Sequence, residues 1–172
     1  MILPDYWLTR PNLNFDHEAQ RAFDELHHTT LNSGGCPTIQ FSLPWPKWQF
    51  LCYLADHYEV AMHGSGNPDI DLFEPRQPID LTEFGNQKAV YAASDGIWAM
   101  FFAIVDRERV PSVANACIRV EDETRTVHGP YYIFSVSQSA LPTQPWRTGT
   151  VYLLPRSTFT AQPSAPFGSS QV

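Results

Sequence analysis

Apolar residues recur along this chain at two different spacings, and the change from one to the other divides it. Between residues 15 and 31 the apolar positions Phe15, Ala19, Ala22, Phe23 and Leu26 follow a helical period, with Asp16, Glu18, Asp24 and Glu25 turned toward water. Asn14 or Asp16 can cap that helix, and Asn32-Ser33-Gly34-Gly35 stops it. Pro44 and Pro46 introduce a second helix to about His57, with a buried stripe of Trp48, Leu51, Cys52, Leu54 and Ala55. From Glu59 to His63 the period drops to two, Val60 and Met62 alternating with Ala61 and His63, which predicts a strand. A proline-rich loop over 66–85 follows, and the short apolar run Ala89–Ala93 predicts another strand. Asp95 then caps a helix to about Asp106, with Ile97, Trp98, Phe101, Phe102, Ile104 and Val105 inside. Strands are expected over 112–120, 127–136 and 149–155, the first two joined by the charged turn Glu121-Asp122-Glu123.

Helices first, then strands around one short helix, indicate an α+β domain with a split, mostly antiparallel sheet. The chain has 172 residues, enough for one core and too few for two comfortable ones, and no internal repeat or linker divides it. We read it as a single domain over 1–172. Residues 1–58 form an arm and helices, 59–159 form the core, and 160–172 form an edge strand or disordered tail.

Charge narrows the range of partners. The net charge of −7 argues against a general affinity for nucleic acid, which rests on clustered Lys and Arg. No Asp or Glu follows Glu123, whereas Arg125, Arg147 and Arg156 do. The last third is therefore either neutral sheet or a locally positive face for a phosphate-bearing ligand. Cys36, Cys52 and Cys117 are three in number and widely spaced, which fits free thiols rather than a disulfide framework or a zinc ribbon. The N-terminus lacks a basic region followed by an apolar stretch, and the most apolar run, Gly96–Val105, is far shorter than the roughly 20 residues of a membrane span. These features predict a soluble, cytoplasmic protein without a membrane partner.

Chemistry concentrates in two fragments. One is His63-Gly64-Ser65 at a strand end; the other is Phe84-Gly85-Asn86-Gln87-Lys88-Ala89-Val90-Tyr91-Ala92-Ala93-Ser94, leading into the helix that Asp95 caps. Two strands ending side by side would bring an imidazole and a phenol to one rim, and glycine would let a ligand approach the backbone. Between them lie Asp69, Asp71, Glu74 and Arg76, a loop that reads either as a lid or as a solvated connection; Arg76 can meet a pyrophosphate bidentately. His27-His28 falls near a helix end, where a cation complements the dipole. The absence of GxSxG argues against a hydrolase elbow at Gly64-Ser65-Gly66.

In order and spacing these fragments resemble the ADP-ribosyltransferase superfamily, whose poly(ADP-ribose) polymerase branch carries HGS and a later FGxGxYFA. The resemblance covers about residues 59–159 and is closest from His63 to Ala103. It implies two small sheets around a cleft that binds NAD as a substrate. On that resemblance His63 would contact the adenosine ribose and Tyr91 would stack on nicotinamide. Gly64 would bond the carboxamide through its backbone, Ser65 completes the HGS, and Phe102 would be a second stacking aromatic. His63 and Tyr91 would be the catalytic pair, with Gly64, Ser65, Phe102 and Arg76 binding NAD, and no metal is implied. Where the branch has a serine on the carboxamide, this chain has Ala99.

The late-strand glutamate of the active branches is missing. That carboxylate favours the developing positive charge as nicotinamide leaves. Gln138, Gln144 and Gln162 are the polar residues nearest to its place, and none can supply charge. The expected function is mono-ADP-ribosylation of an unknown acceptor. The alternatives are an inactive nucleotide- or protein-binding module of the same fold, or an RNA 2′-phosphotransferase, whose mark would be Arg125, Arg147 and Arg156 converging on the cleft.

Overall fold

The computed structural model describes residues 4–78, 83–163 and 168–169. Helix α1 spans His17–Asn32, and of its two candidate caps it is Asp16 that accepts from the Ala19 N–H at 2.8 Å. Gly34 and Gly35, both at positive φ, carry the chain away from its end. Helix α2 spans Lys47–His57 and starts after Pro46 without a side-chain cap. Helix α3, Gly96–Ile104, is shorter than the sequence suggests, because Val105 already has extended backbone and bridges to Trp146. Its cap is Asp95, whose carboxylate accepts from the Trp98 N–H at 2.9 Å.

The strands form two separate antiparallel sheets, so the fold is α+β. The larger has the order β1 (Leu8–Thr9), β4 (Val127–Val136), β3 (Val113–Glu121), β6 (Gly168–Ser169). The smaller pairs β2 (Val60–Ser65) with β5 (Thr150–Pro155) in the register His63↔Tyr152 and Gly64↔Val151. The expected arm over 1–14 thus supplies an edge strand, and Gly168–Ser169 pairs along β3 as an edge strand at the other end.

One expected strand does not form. Among the described residues, Ala89–Ala93 pairs by backbone bridges at two isolated points, Arg76↔Ala89 and Met62↔Ala93. The reason lies in the side chains of His63 and Tyr91 and is given below.

Helix α3 is a wedge between the two sheets. Toward β2–β5 it presents Ala99 and Ala103, and a Cβ at Gly64 would fall on the Ala99 carbonyl and within 2.7 Å of the Ala103 N–H. Toward the larger sheet it presents Phe101, stacked on Phe134 at 4.7 Å between ring centres. The buried Asp95 carboxylate ties the same interface by accepting from the Tyr132 hydroxyl at 2.8 Å. The main core gathers Phe23 from α1, Phe50, Tyr53 and Leu54 from α2, Met62 from β2 and Trp98 from α3. Because α3 turns these faces to its neighbours, Phe102 and Ile104 stay 37% and 42% exposed rather than entering the core as their spacing predicts. Among the described residues, no helix is long and apolar enough to cross a membrane.

Candidate functional site

In the β2–β5 sheet, residues directly opposite one another share a face. Met62, Gly64, Leu153 and Val151 face α3. Ala61, His63, Tyr152 and Leu154 face the other way, toward the 66–94 segment. There the His63 ring meets Phe73 edge-on at 5.0 Å, and Phe73 meets Tyr152 at 5.2 Å. The Tyr152 hydroxyl donates to the Asn67 carbonyl at 2.8 Å and accepts from the Ile70 N–H at 3.0 Å, fastening the start of the loop to the sheet. A cavity of about 480 Å³ opens on this face. Phe73, Phe84, Tyr91, Leu154 and Phe159 line it with Gln87, and among the described residues no charged side chain does. Such a lining suits a flat, neutral ring.

The two sequence fragments meet here through an unexpected contact. Met62 exchanges both backbone hydrogen bonds with Ala93, each 2.8 Å long. If pairing continued, Gly64 would bond Tyr91 next. Instead the His63 side chain intervenes, its Nδ1 lying 2.7 Å from the Tyr91 carbonyl oxygen. The contact requires that Nδ1 carry the proton and donate it. The phenol of Tyr91 turns away as well. Its hydroxyl donates toward the Phe84 and Gln87 carbonyls at 2.9 and 2.8 Å and accepts from the Gln87 N–H at 3.0 Å. These bonds hold Tyr91 as part of a turn and stop Ala89–Ala93 from becoming a strand.

The consequence falls on Gly64. Alternate residues of a strand direct their backbone groups to alternate edges, so Gly64 aims its N–H and carbonyl at the edge that Met62 uses for Ala93. Among the described residues neither group bonds a side chain or the facing segment. A donor and an acceptor therefore stand side by side on an open edge. The glycine itself answers to packing: α3 occupies the space of its missing side chain, and Ala99 belongs to that contact.

The remaining expected residues are dispersed. Ser65 accepts from the Asn67 N–H at 3.1 Å and lies opposite Thr150. Arg76 is exposed and pinned to the motif segment by its backbone, bonding Ala89 at 3.0 and 3.1 Å. Phe102 contacts Trp98 and Phe101 on α3, on the opposite face of β2 from the cavity that Tyr91 lines, so the structure does not place these two rings around one ligand position. The three arginines do not converge. Arg125 pairs with Glu121 at 2.9 Å in the β3–β4 turn, and Arg156 follows β5, its N–H bonded to the Glu59 carbonyl. Only Arg147 reaches the motif, its guanidinium lying against Gly66. Gln138 begins and Gln144 caps a 3-10 segment that packs through Ala140 beside Phe101 and Val110.

Sequence reasoning missed Phe73, Tyr152 and Thr150, and it named Arg147 only as one of three arginines expected to converge. The only signal for Tyr152 was its alternation with Val151 and Leu153; the others carry no local signature. Among the described residues, no three His, Cys, Asp or Glu side chains are arranged to hold a metal ion. The chain matches no protein-family model, no curated protein and no solved structure at a significant level.

Proposed function

We propose that the chain binds NAD in the manner of an ADP-ribosyltransferase, with the nicotinamide carboxamide at the open edge of Gly64. The observation that carries this reading is the substitution of a side-chain contact for a backbone pair. His63 takes the Tyr91 carbonyl, and so the N–H and carbonyl of Gly64 are left for a ligand. A primary carboxamide has one acceptor oxygen and a donor NH₂ and can answer both groups at once. With Nδ1 donating to Tyr91, a neutral His63 keeps Nε2 as an acceptor for a ribose hydroxyl. Tyr91 and Phe73 supply aromatic surface close to His63.

Bound NAD would bring a glycosidic bond primed to break with nicotinamide as leaving group. The chain's own contribution is to hold and orient the two ends of that bond. Thr150 argues for a second reading, in which the chain binds the dinucleotide without transferring it. It lies opposite Ser65 on the late strand, and it carries a hydroxyl and no charge. Losing about 3 kcal/mol of charge stabilisation slows a reaction by roughly two orders of magnitude.

Calorimetric titration with NAD, followed by assay of released nicotinamide, tests both readings. Binding lost in His63→Ala and accompanied by release supports a transferase acting on an acceptor. Binding without release supports the second reading. No binding at millimolar NAD overturns both.

A further inference from the structure

The Arg147 guanidinium lies in the motif region and has no part in holding the amide or the ribose. It lies against Gly66, so closely that a Cβ there would fall on its Cζ and Nε. Its Nε is buried and has no hydrogen-bond partner among the described residues. No carboxylate pairs with the group among the described residues, although the chain as a whole is acidic. A buried, unanswered N–H costs free energy, about 1–3 kcal/mol, and more on a charged group.

Capping of α3 does not account for this position. The backbone N–H of Arg147, not its side chain, bonds the Ile104 carbonyl at 2.8 Å. The bridge between Val105 and Trp146 holds the same stretch in place. The side chain continues past the helix end to Gly66, two residues beyond Gly64 along the strand direction, roughly 7 Å away. With Nε turned inward, the guanidinium still carries its two terminal amino groups in one plane, the geometry that oxyanions accept bidentately.

We propose that Arg147 is an oxyanion-binding residue that receives a phosphoryl group of the ligand whose neutral amide end sits on Gly64. The inference rests on the preceding reading for the amide end, while the anion site stands on the Arg147 geometry alone. The ligand class is a mononucleotide or dinucleotide carrying a ring amide and a phosphate close to it. A cation here does not replace the missing glutamate; its sign is opposite, and its work is to bind and register the phosphate.

The test compares nicotinamide mononucleotide with nicotinamide riboside, which differ by the phosphate. The protein is expected to prefer the mononucleotide by at least about tenfold. In Arg147→Gln that preference should vanish while riboside affinity holds; Arg147→Lys should keep part of it, since charge remains and the fork is lost. An undiminished preference in Arg147→Gln, or no preference in the unmodified chain, overturns the proposal. A second arm separates this failure from failure of the NAD reading, and it needs no folded variant. Inorganic pyrophosphate is titrated into ¹⁵N-labelled protein and the Arg147 Nε–H resonance followed. A saturable shift shared with the Gly66 amide supports the anion site even if neither nucleotide binds. An unmoved resonance overturns it.

Discussion

The imidazole Nδ1 of His63 and the carbonyl oxygen of Tyr91 are 2.7 Å apart, a single contact that ends one backbone ladder and, among the described residues, leaves a donor–acceptor pair on Gly64 without a facing partner. The bond joins β2 to the segment before α3. His63→Ala should therefore release Tyr91–Ala93 from the strand, at a cost of about 1 kcal/mol for one lost hydrogen bond. Amide exchange at Tyr91 and Ala92 should quicken while α1 and α2 are unchanged. Equal protection in the variant would mean that the Met62–Ala93 bridge alone holds the segment.

Two glycines separate packing from backbone conformation. Gly64→Ala drives a methyl into the backbone of α3 at Ala99 and Ala103, which cannot swing aside as a side chain can. The expected loss is about 2–3 kcal/mol, read from the urea midpoint. Gly34→Ala meets nothing within 4 Å but sits at a φ of +72°. It should lose only about 1 kcal/mol, the cost of left-handed backbone for an L-residue.

Acid should loosen α1. His27 is 5% exposed, its ring 4.1 Å from that of Tyr58, and its Nδ1 has no partner among the described residues. Burial first and the neighbouring His28 second push its pKa below the ordinary histidine value, against a smaller pull from Asp24. A base with a depressed folded pKa stabilises the fold fully above its unfolded pKa of about 6.5 and loses that contribution as pH falls below it. Tyr53 and Tyr58 have the opposite window. Burial and the Asp24 carboxylate they bond hold both hydroxyls protonated, Tyr53 up to about 12, so their contribution fades only in alkali. Urea midpoints should drop from about pH 7.5 to about pH 5.5, and His27→Leu should flatten that slope. An unchanged slope in the variant would move the effect to another group.

The thiols should differ sharply. Cys36 is exposed, whereas Cys52 and Cys117 are buried. Burial, aided by the nearby Asp95 charge, pushes the Cys52 thiol up to about 12, so little thiolate forms at neutral pH. A thiol reagent should therefore modify one cysteine in the native protein and all three in guanidinium. Rapid reaction of Cys52 in the native state would mean that α2 and α3 open far more readily than their packing implies.

Local chemistry was legible in the sequence wherever neighbours in the chain settle the outcome. The start of α1 follows from Asp16 three residues before the amide it caps, and Asp95 does the same for α3. The alternation around His63 sufficed for β2, and the run of apolar residues in 127–136 for β4. These are contacts made within one turn or by one pleat, and the side chains that make them are adjacent in sequence.

Tertiary structure alone decided the rest. Ala89–Ala93 has the composition of a strand, but a histidine 28 residues earlier takes its carbonyl, and the Tyr91 hydroxyl is spent on the turn before it. Phe102 and Ile104 match a buried helical stripe, yet α3 lies between two sheets and turns Ala99, Ala103 and Phe101 to them instead. Arg147 has no local signature, and it reaches Gly66 because the chain passes the end of α3 before entering β5. Sequence determined helices α1 to α3 and the strands β2 to β5, because caps and periods act over a few residues. Which side chain claims which backbone group, and which glycine stays open, depended on elements brought together from distant parts of the chain.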